Sequence, residues 1–369
     1  MKSGRKTRVA ILCGGKSAEH EISIQSAENI LAAIDKDKYQ PVPIRIDKKG
    51  RWYYHPDGDF SGRLDCDGVG VHKNGQDIAF VPGKKGHLFH TITGKNIDPV
   101  DIVFPVLHGP FGEDGTVQGM LELADVPFVG TGVLGSSIAM DKDIAKRLLR
   151  QAGLDVADFA VFHRSQGHEI SYQPLKERLG TPLFVKPANL GSSVGISKVR
   201  DEDEFASAVK KAFEFDRKIL VEKAITGREI ECAVLGNEDP QASVPGEIIP
   251  NDEFYSYRAK YLDQNGACLQ IPADISEKEV SDIQACALGA FKTLCCEGMA
   301  RVDFFLMRSG KVVVNEVNTI PGFTKISMFP KLWQAAGISY SALIDKLIDL
   351  AVQRYQQKHE LKTEQPTCR

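Results

Sequence analysis

The stretch from Ala300 to Asn318, ARVDFFLMRSGKVVVNEVN, admits little besides a β-hairpin. Two runs rich in β-branched and aromatic residues flank Ser309-Gly310, a pair suited to a two-residue turn. With those two residues at the tip, Arg308 faces Lys311, Asp303 faces Glu316 and Arg301 faces Asn318. Side chains two apart on a strand share a face, so Arg301, Asp303, Glu316 and Asn318 converge on one side. Val302, Phe304, Val313 and Val317 are left to build the buried side. Oxygen ligands without Cys or His favour a hard cation, and Mg²⁺ takes one or two carboxylates while phosphates and waters complete its shell. A surface hairpin with cross-strand charge pairs would show the same residues. The following segment, Thr319 to Ser327, carries Pro321 and Gly322 and could bring the Gly322 N–H into the same cleft.

A second stretch points the same way. KPANLGSSVG, residues 186 to 195, follows the apolar run Pro182 to Val185 and precedes the β-like Ile196 to Val199. Its lysine comes before the glycines and no helix follows, so it is a hairpin flap and not a P-loop. Glycines let backbone N–H groups turn toward oxygens, serines add donors, and Lys186 adds a point charge, so the flap can bind polyphosphate; an ordinary flexible hairpin would show the same residues. Gly130-Thr-Gly132-Val-Leu-Gly135 matches a dinucleotide fingerprint, but that reading needs an acidic residue at the end of the next strand. The candidates Asp155 and Asp158 instead precede the strand-like Phe159 to Phe162, which argues against it.

At 369 residues the chain exceeds one ordinary core, and 42% apolar residues suffice for roughly two or three domains. Lys and Arg total 46 against 49 Asp and Glu, without the basic excess that nucleic-acid binding needs. The basic start, Met1 to Arg8, is followed by an apolar run too short for a signal peptide, and no later run reaches membrane-spanning length. Eight cysteines lack paired CxxC spacing, as in a reduced protein without structural zinc. A cytoplasmic protein is expected.

Along the chain, Arg8 to Cys13, a glycine turn at Gly14-Gly15, and Ala27, Ile30, Leu31 and Ile34 at helical spacing form strand, turn and helix. Residues 41–46 and 100–106 add strands to an open α/β domain, with 51–98 as a peripheral insertion. A helix over 141–153 is expected to bury Ile144, Leu148 and Leu149 and to end at Gly153. Helices follow over about 201–215 and, from a capping box at Ser276 and Glu279, through Leu294. A last hairpin and helix complete the chain, with 356–369 polar and expected to fray.

Taken together, Gly14 to Glu21 (GGKSAEHE), His108-Gly, Gly112 to Gly115 (GEDG), Met140-Asp-Lys142, Lys186-Pro, Gly191 to Gly195, Phe254-Tyr, Ala259-Lys-Tyr261, Ala300 to Asp303 and Asn315 to Phe323 resemble the ATP-grasp superfamily, and within it the D-alanine-D-alanine ligases of bacterial cell-wall synthesis. The resemblance covers nearly the whole chain. It implies an ATP-grasp fold, α/β plus α+β, with an N-terminal open α/β (Rossmann-like) substrate-binding domain over 1–139, a central subdomain with the flap over 140–225, and a C-terminal subdomain with a metal site over 226–369. It implies that ATP phosphorylates one D-alanine carboxylate and that the amine of a second attacks the acylphosphate. ATP contacts are then Lys142, Lys186, Ser193, Glu222, Ala224, Ile225, Glu229, Lys260, Phe305 and Asn315. Asp303, Glu316 and Asn318 correspond to ligands of two Mg²⁺, with Mn²⁺ as an alternative. Glu19 and His108 correspond to contacts of the first substrate, Arg301 and the Gly322 amide to the oxyanion site, and Ser327 and Met328 to contacts of the second carboxylate. The resemblance also implies that Ser192 and Tyr261 join Glu19 in a hydrogen-bonded network, and that the tyrosine marks D-alanine, not D-lactate, as acceptor. A homodimer acting on small molecules, without nucleic acid or membrane partners, is implied.

Overall fold

The computed structural model describes residues 5–56, 75–250 and 267–362, which form three sheets. The first is built on β1 (Thr7–Gly14), with β2 (Tyr39–Ile46), β3 (Trp52–Tyr54), β4 (Gln76–Phe80), β5 (Leu88–His90), β6 (Asn96–Ile97) and β7 (Ile102–Pro105), in the order β6-β5-β4-β3-β2-β1-β7. β1 pairs in parallel with β2 and β7, while β3 to β6 extend the edge antiparallel. The described parts of the 51–98 segment, 51–56 and 75–98, thus lengthen the sheet. β1 is an unbroken apolar run because both faces are covered. Val9, Ile11 and Cys13 meet Ala27 and Ile30 of α1 (His20–Ala33), and Ala10 and Leu12 share a core with Val117 and Leu121 of α2 (Thr116–Leu123). At the turn between β1 and α1 only glycine fits, since Gly14 has φ +89° and an added Cβ would lie 2.2 Å from the Ile46 carbonyl oxygen.

Two short helices, α3 (Val133–Met140) and α4 (Lys142–Gln151), lead out of this unit. Asp141 caps α4, accepting from the Asp143 and Ile144 N–H groups at 3.1 and 3.2 Å. The buried positions of α4 are Asp143, Ala145, Lys146 and Leu149; Leu149 is buried and Leu148 packs half-buried on the same core, as predicted, while Ile144 is 38% exposed. In the GxGxxG segment, Gly135 packs where a Cβ would lie 2.3 Å from the Cys295 carbonyl oxygen. That glycine serves close packing.

The second sheet, β10-β9-β11-β8, is antiparallel and contains β8 (Phe159–His163), β9 (Leu183–Pro187), β10 (Ser197–Val199) and β11 (Lys218–Lys223). It is backed by α5 (Tyr172–Leu179) and α6 (Glu202–Phe215). β9 and β10 form the expected hairpin, with the flap as its loop. The third sheet holds β12 (Arg228–Gly236), β13 (Gln241–Ala242), β14 (Gly246–Pro250), β15 (Ala267–Gln270), β16 (Gly298–Leu306) and β17 (Val312–Asn318), in the order β15-β14-β12-β16-β17 with β13 beside β12. One face packs on α7 (Glu277–Thr293), which starts at the predicted capping box. The other meets α8 (Met328–Ala335) and α9 (Tyr340–His359), two helices where one was expected, and they fill the space back to β1 and α1. α9 runs past 356, with His359 Nε2 2.8 Å from Asp125 Oδ1 and Lys358 paired with Glu122, so the predicted fraying does not begin there.

The β16–β17 hairpin turns differently from expectation. The Met307 and Gly310 amides donate to Lys311 and Met307 carbonyls, at 2.9 Å each, so the turn is wider than two residues and Phe305 pairs with Val313. A bulge between Asp303 and Phe304 then absorbs Asn315 and restores the pairs Asp303 with Glu316 and Arg301 with Asn318. The two departures cancel at the polar end. Near the turn, Val314 takes the core position predicted for Val313.

Candidate active site

The bulged hairpin sets out its polar face as a row. Arg301 grips Asp303 with two bonds of 2.7 Å, from Nε to Oδ1 and from Nη2 to Oδ2, and its Nε is 2.9 Å from Glu231 Oε2 on the neighbouring β12. Asn318 Nδ2 donates to Asp303 Oδ2 at 3.0 Å. Glu316 continues the row, 3.8 Å from Lys142 Nζ. Glu231, which bare sequence reading passes over, is the cross-strand neighbour of Asp303.

Beyond Glu316 a cleft of about 310 Å³ opens between the second and third sheets. Lys142, Lys186, Ser193, Glu222, Ala224, Ile225, Glu229, Phe305, Asn315 and Glu316 all line it. Residues predicted from four separated stretches are therefore gathered into one place. Lys142 Nζ donates to the Leu190 carbonyl at 2.6 Å, holding the base of the flap. Glu222 is 2% exposed, between Lys186 at 3.2 Å and Lys146 at 3.4 Å. Burial opposes its charge, but the two ammonium groups overcome this and hold the carboxyl below the usual glutamate range. Lys146 is the residue that reading missed; its only signal was helical spacing, four positions after Lys142.

The other end of the row meets the loops of the first sheet. The Ser192 hydroxyl donates to Glu19, and an added Cβ at Gly191 would lie 3.1 Å from Glu19 Oε2, so the flap rests on the turn after β1. Ser192 and Ser193 both have positive φ, +52° and +59°, a conformation that non-glycine residues seldom adopt twice in succession. His108 Nδ1 is 2.9 Å from the Ile320 carbonyl oxygen, which places its proton on Nδ1 and leaves buried Nε2 without a hydrogen-bond partner. Burial lowers its pKa, against the pull of Glu19. Glu113, also missed, holds the same residue from the other side: it accepts from Ile320 N at 2.9 Å and from Gly109 N at 2.8 Å. Gly322 is fixed from below by Phe323, whose ring packs edge-on to Phe104 and whose amide donates to Ser26 Oγ at 3.1 Å. Ser327 Oγ sits close to Gly322 and accepts from Thr324 N at 2.9 Å. Met328 points into the core at 4% exposure, so only its backbone N–H at the start of α8 can meet a carboxylate. Lys260 and Tyr261 lie outside the described residues.

An antiparallel sheet with a glycine-serine flap, facing a second sheet with a carboxylate hairpin across a lysine-lined cleft, defines an ATP-grasp enzyme. The family models for the D-ala D-ala ligase N-terminus and C-terminus match residues 8–131 and 148–349. A curated relative from Oceanobacillus iheyensis, D-alanine–D-alanine ligase, is 54% identical over 360 residues, covering 97% of this chain and 98% of its own. Among solved structures, the D-alanine-D-alanine ligase from Coxiella burnetii superposes with TM-score 0.85 at 42% identity, covering 97% of both chains. The VanG D-Ala:D-Ser ligase from Enterococcus faecalis superposes at 0.84 and 38%, covering 94% of this chain and all of its own. The chain belongs to the D-alanine-D-alanine ligase family and is an ATP-dependent ligase.

Proposed function

We propose that this chain joins two D-alanine molecules into D-alanyl-D-alanine for peptidoglycan synthesis, converting ATP to ADP and phosphate. The observation that carries the site assignment is the continuity of the hairpin row: Glu316 reaches Lys142 of the cleft, and beyond Asn318 at the other end the chain runs to Ile320, whose carbonyl and amide hold His108 and Glu113. A nucleotide in the cleft would therefore direct its terminal phosphate toward the substrate loops. The units 1–139, 140–225 and 226–369 would divide the work into substrate binding, flap and metal site.

In the first step a carboxylate oxygen of one D-alanine bonds to the terminal phosphorus and ADP leaves. Lys142 and Lys186 would neutralise developing charge, which is the main demand of phosphoryl transfer. Glu19 would hold the first ammonium. In the second step the amine of the other D-alanine bonds to the acyl carbon, phosphate leaves and the amine loses its proton. Arg301 and the Gly322 amide would receive the tetrahedral oxyanion, and Ser327 with the Met328 N–H the second carboxylate. Asp303, Glu316 and Asn318 offer oxygen donors for Mg²⁺, or Mn²⁺ with the same preferences. Both Asp303 oxygens already accept from Arg301, and among the described residues no three His, Cys, Asp or Glu side chains cluster closely enough to hold a metal alone. Phosphate and water oxygens would have to complete the shell, as is usual for Mg²⁺. Bound there, the ion would offset the charge of the transferring phosphate.

The acceptor is the part of the reading with a specific rival, because VanG bears the name of a D-Ala:D-Ser ligase. Tyr261 supports D-alanine on the family resemblance. Phosphate release with ATP, Mg²⁺ and D-alanine tests the ligase, and mixed D-alanine, D-serine and D-lactate at neutral pH tests the acceptor. D-alanyl-D-alanine is the expected main product; a predominance of either mixed product overturns the acceptor assignment. No helix among the described residues is long and apolar enough to cross a membrane. The supply of ATP makes the cytoplasm the expected compartment, and a homodimer is the expected assembly.

A further inference from the structure

We infer that Lys146 is a positioning residue of the nucleotide cleft, serving as the permanent counter-ion of Glu222 so that Lys186 is free to engage a phosphate. This rests on reading the cleft as the ATP site. Lys146 and Lys142 lie one turn apart on α4, yet their surroundings differ. Lys142 lines the cleft, whereas Lys146 is 2% exposed and lies behind it, its Nζ 3.4 Å from Glu222 Oε1. A lysine pays a large desolvation cost at such a site. Neither apolar packing nor helix propensity requires a cation there, and Lys146 points inward while Ile144 on the same helix is exposed.

Glu222 has two cations, one on each oxygen, Lys146 at Oε1 and Lys186 at Oε2. They are not equivalent. Lys186 lines the cleft, so an incoming polyphosphate competes for it. If Lys186 were the sole partner, its departure would leave a buried carboxylate uncompensated, and the site would have to take up a proton or reject the nucleotide. Lys146 is out of a nucleotide's reach and keeps Glu222 charged and oriented whichever way Lys186 turns. Glu222 therefore remains a fixed acceptor on the cleft wall, while Lys186 can change partners at little cost.

The test is a double-mutant cycle read by calorimetric ADP binding in the presence of Mg²⁺ and by steady-state kinetics. The chains compared are wild type, Lys146→Met, Glu222→Gln, and the double variant. Lys146→Met is expected to weaken ADP about tenfold, the scale of one charge-assisted contact, and to raise the KM for ATP similarly while the KM for D-alanine stays within about twofold. In the Glu222→Gln background the same replacement is expected to change ADP affinity by less than about twofold, because there is no carboxylate left to hold. The double variant replaces both charges with neutral groups of similar length, so it keeps the test readable should Lys146→Met alone fold poorly. Additive effects, or equal losses for ATP and D-alanine, overturn the proposal and make Lys146 a purely structural ion. Unchanged ADP binding in Glu222→Gln instead overturns the reading of the cleft itself.

Discussion

The hydroxyl of Ser192 donates to the carboxylate of Glu19, 173 positions earlier in the chain, and so ties the flap of the second sheet to the first turn after β1. Hydrogen bonds to charged groups contribute about 1.5–3 kcal/mol. Ser192→Ala should therefore lower kcat/KM for D-alanine by roughly 10- to 100-fold while leaving the melting temperature within about 2 °C, since the contact joins loops and not core. Wild-type kinetics in this variant would show that the contact has no part in the reaction.

The same contact would let the flap close as a lid. Two successive left-handed serines store backbone strain that contacts across the cleft must offset. Hydrogen exchange at 188–195 should slow when ATP, Mg²⁺ and a phosphinate analogue of the intermediate are added together, as a closing lid shields an acylphosphate from water. Exchange rates equal with and without ligands would rule out closure.

Glu316 stands between Lys142 and the Asp303 pair, so its charge is the quantity to remove. Glu316→Gln keeps the shape and should reduce kcat by about 100-fold or more, the scale of one lost electrostatic group at a reacting phosphate. The Mg²⁺ concentration giving half-maximal rate should rise at the same time. Turnover at wild-type level under limiting Mg²⁺ would remove Glu316 from the metal site.

Glu113 gives the fold a pH dependence. Burial, reinforced by the Glu19 charge, pushes its carboxyl up to about 8, against the Gly109 and Ile320 amides and Arg301. The folded chain thus holds a proton that the unfolded chain releases in the ordinary glutamate range. This contribution to stability is fully present below that range and is lost as pH rises through about 8. Thermal melting of wild type should fall over that window, and Glu113→Gln should flatten the fall. An identical slope in both proteins would exclude Glu113 as its source.

Phe323 anchors the segment carrying Gly322 through Phe104, Phe329 and Tyr340, with ring centroids 5.6 to 5.9 Å apart. Phe323→Ala should cost about 3–5 kcal/mol in chemical denaturation. Phe323→Leu should cost less and restore activity ahead of full stability.

The sequence alone determined the elements and most members of the site, because those signals are local. The capping box at Ser276 and Glu279, the glycine turn at Gly14, the flap hairpin and the alternating strands of 300–318 depend on neighbours a few positions away. The motif order also carried ten of the residues that line the cleft, which tertiary structure merely gathered. What the tertiary structure decided was whatever depends on partners far along the chain. The hairpin register met expectation at Asp303 and Glu316 only because a wider turn and a bulge at Asn315 cancel, a balance set by packing on α7. The burial of Lys146 on α4 depends on a carboxylate 76 positions away, and the exposure of Ile144 on the same helix likewise has no local signal. Glu113 and Glu231 likewise acquire their roles from Ile320 and Arg301. Hydrophobic periodicity reports which face can be buried; only the assembled fold places the opposite charge that makes burying a lysine tolerable.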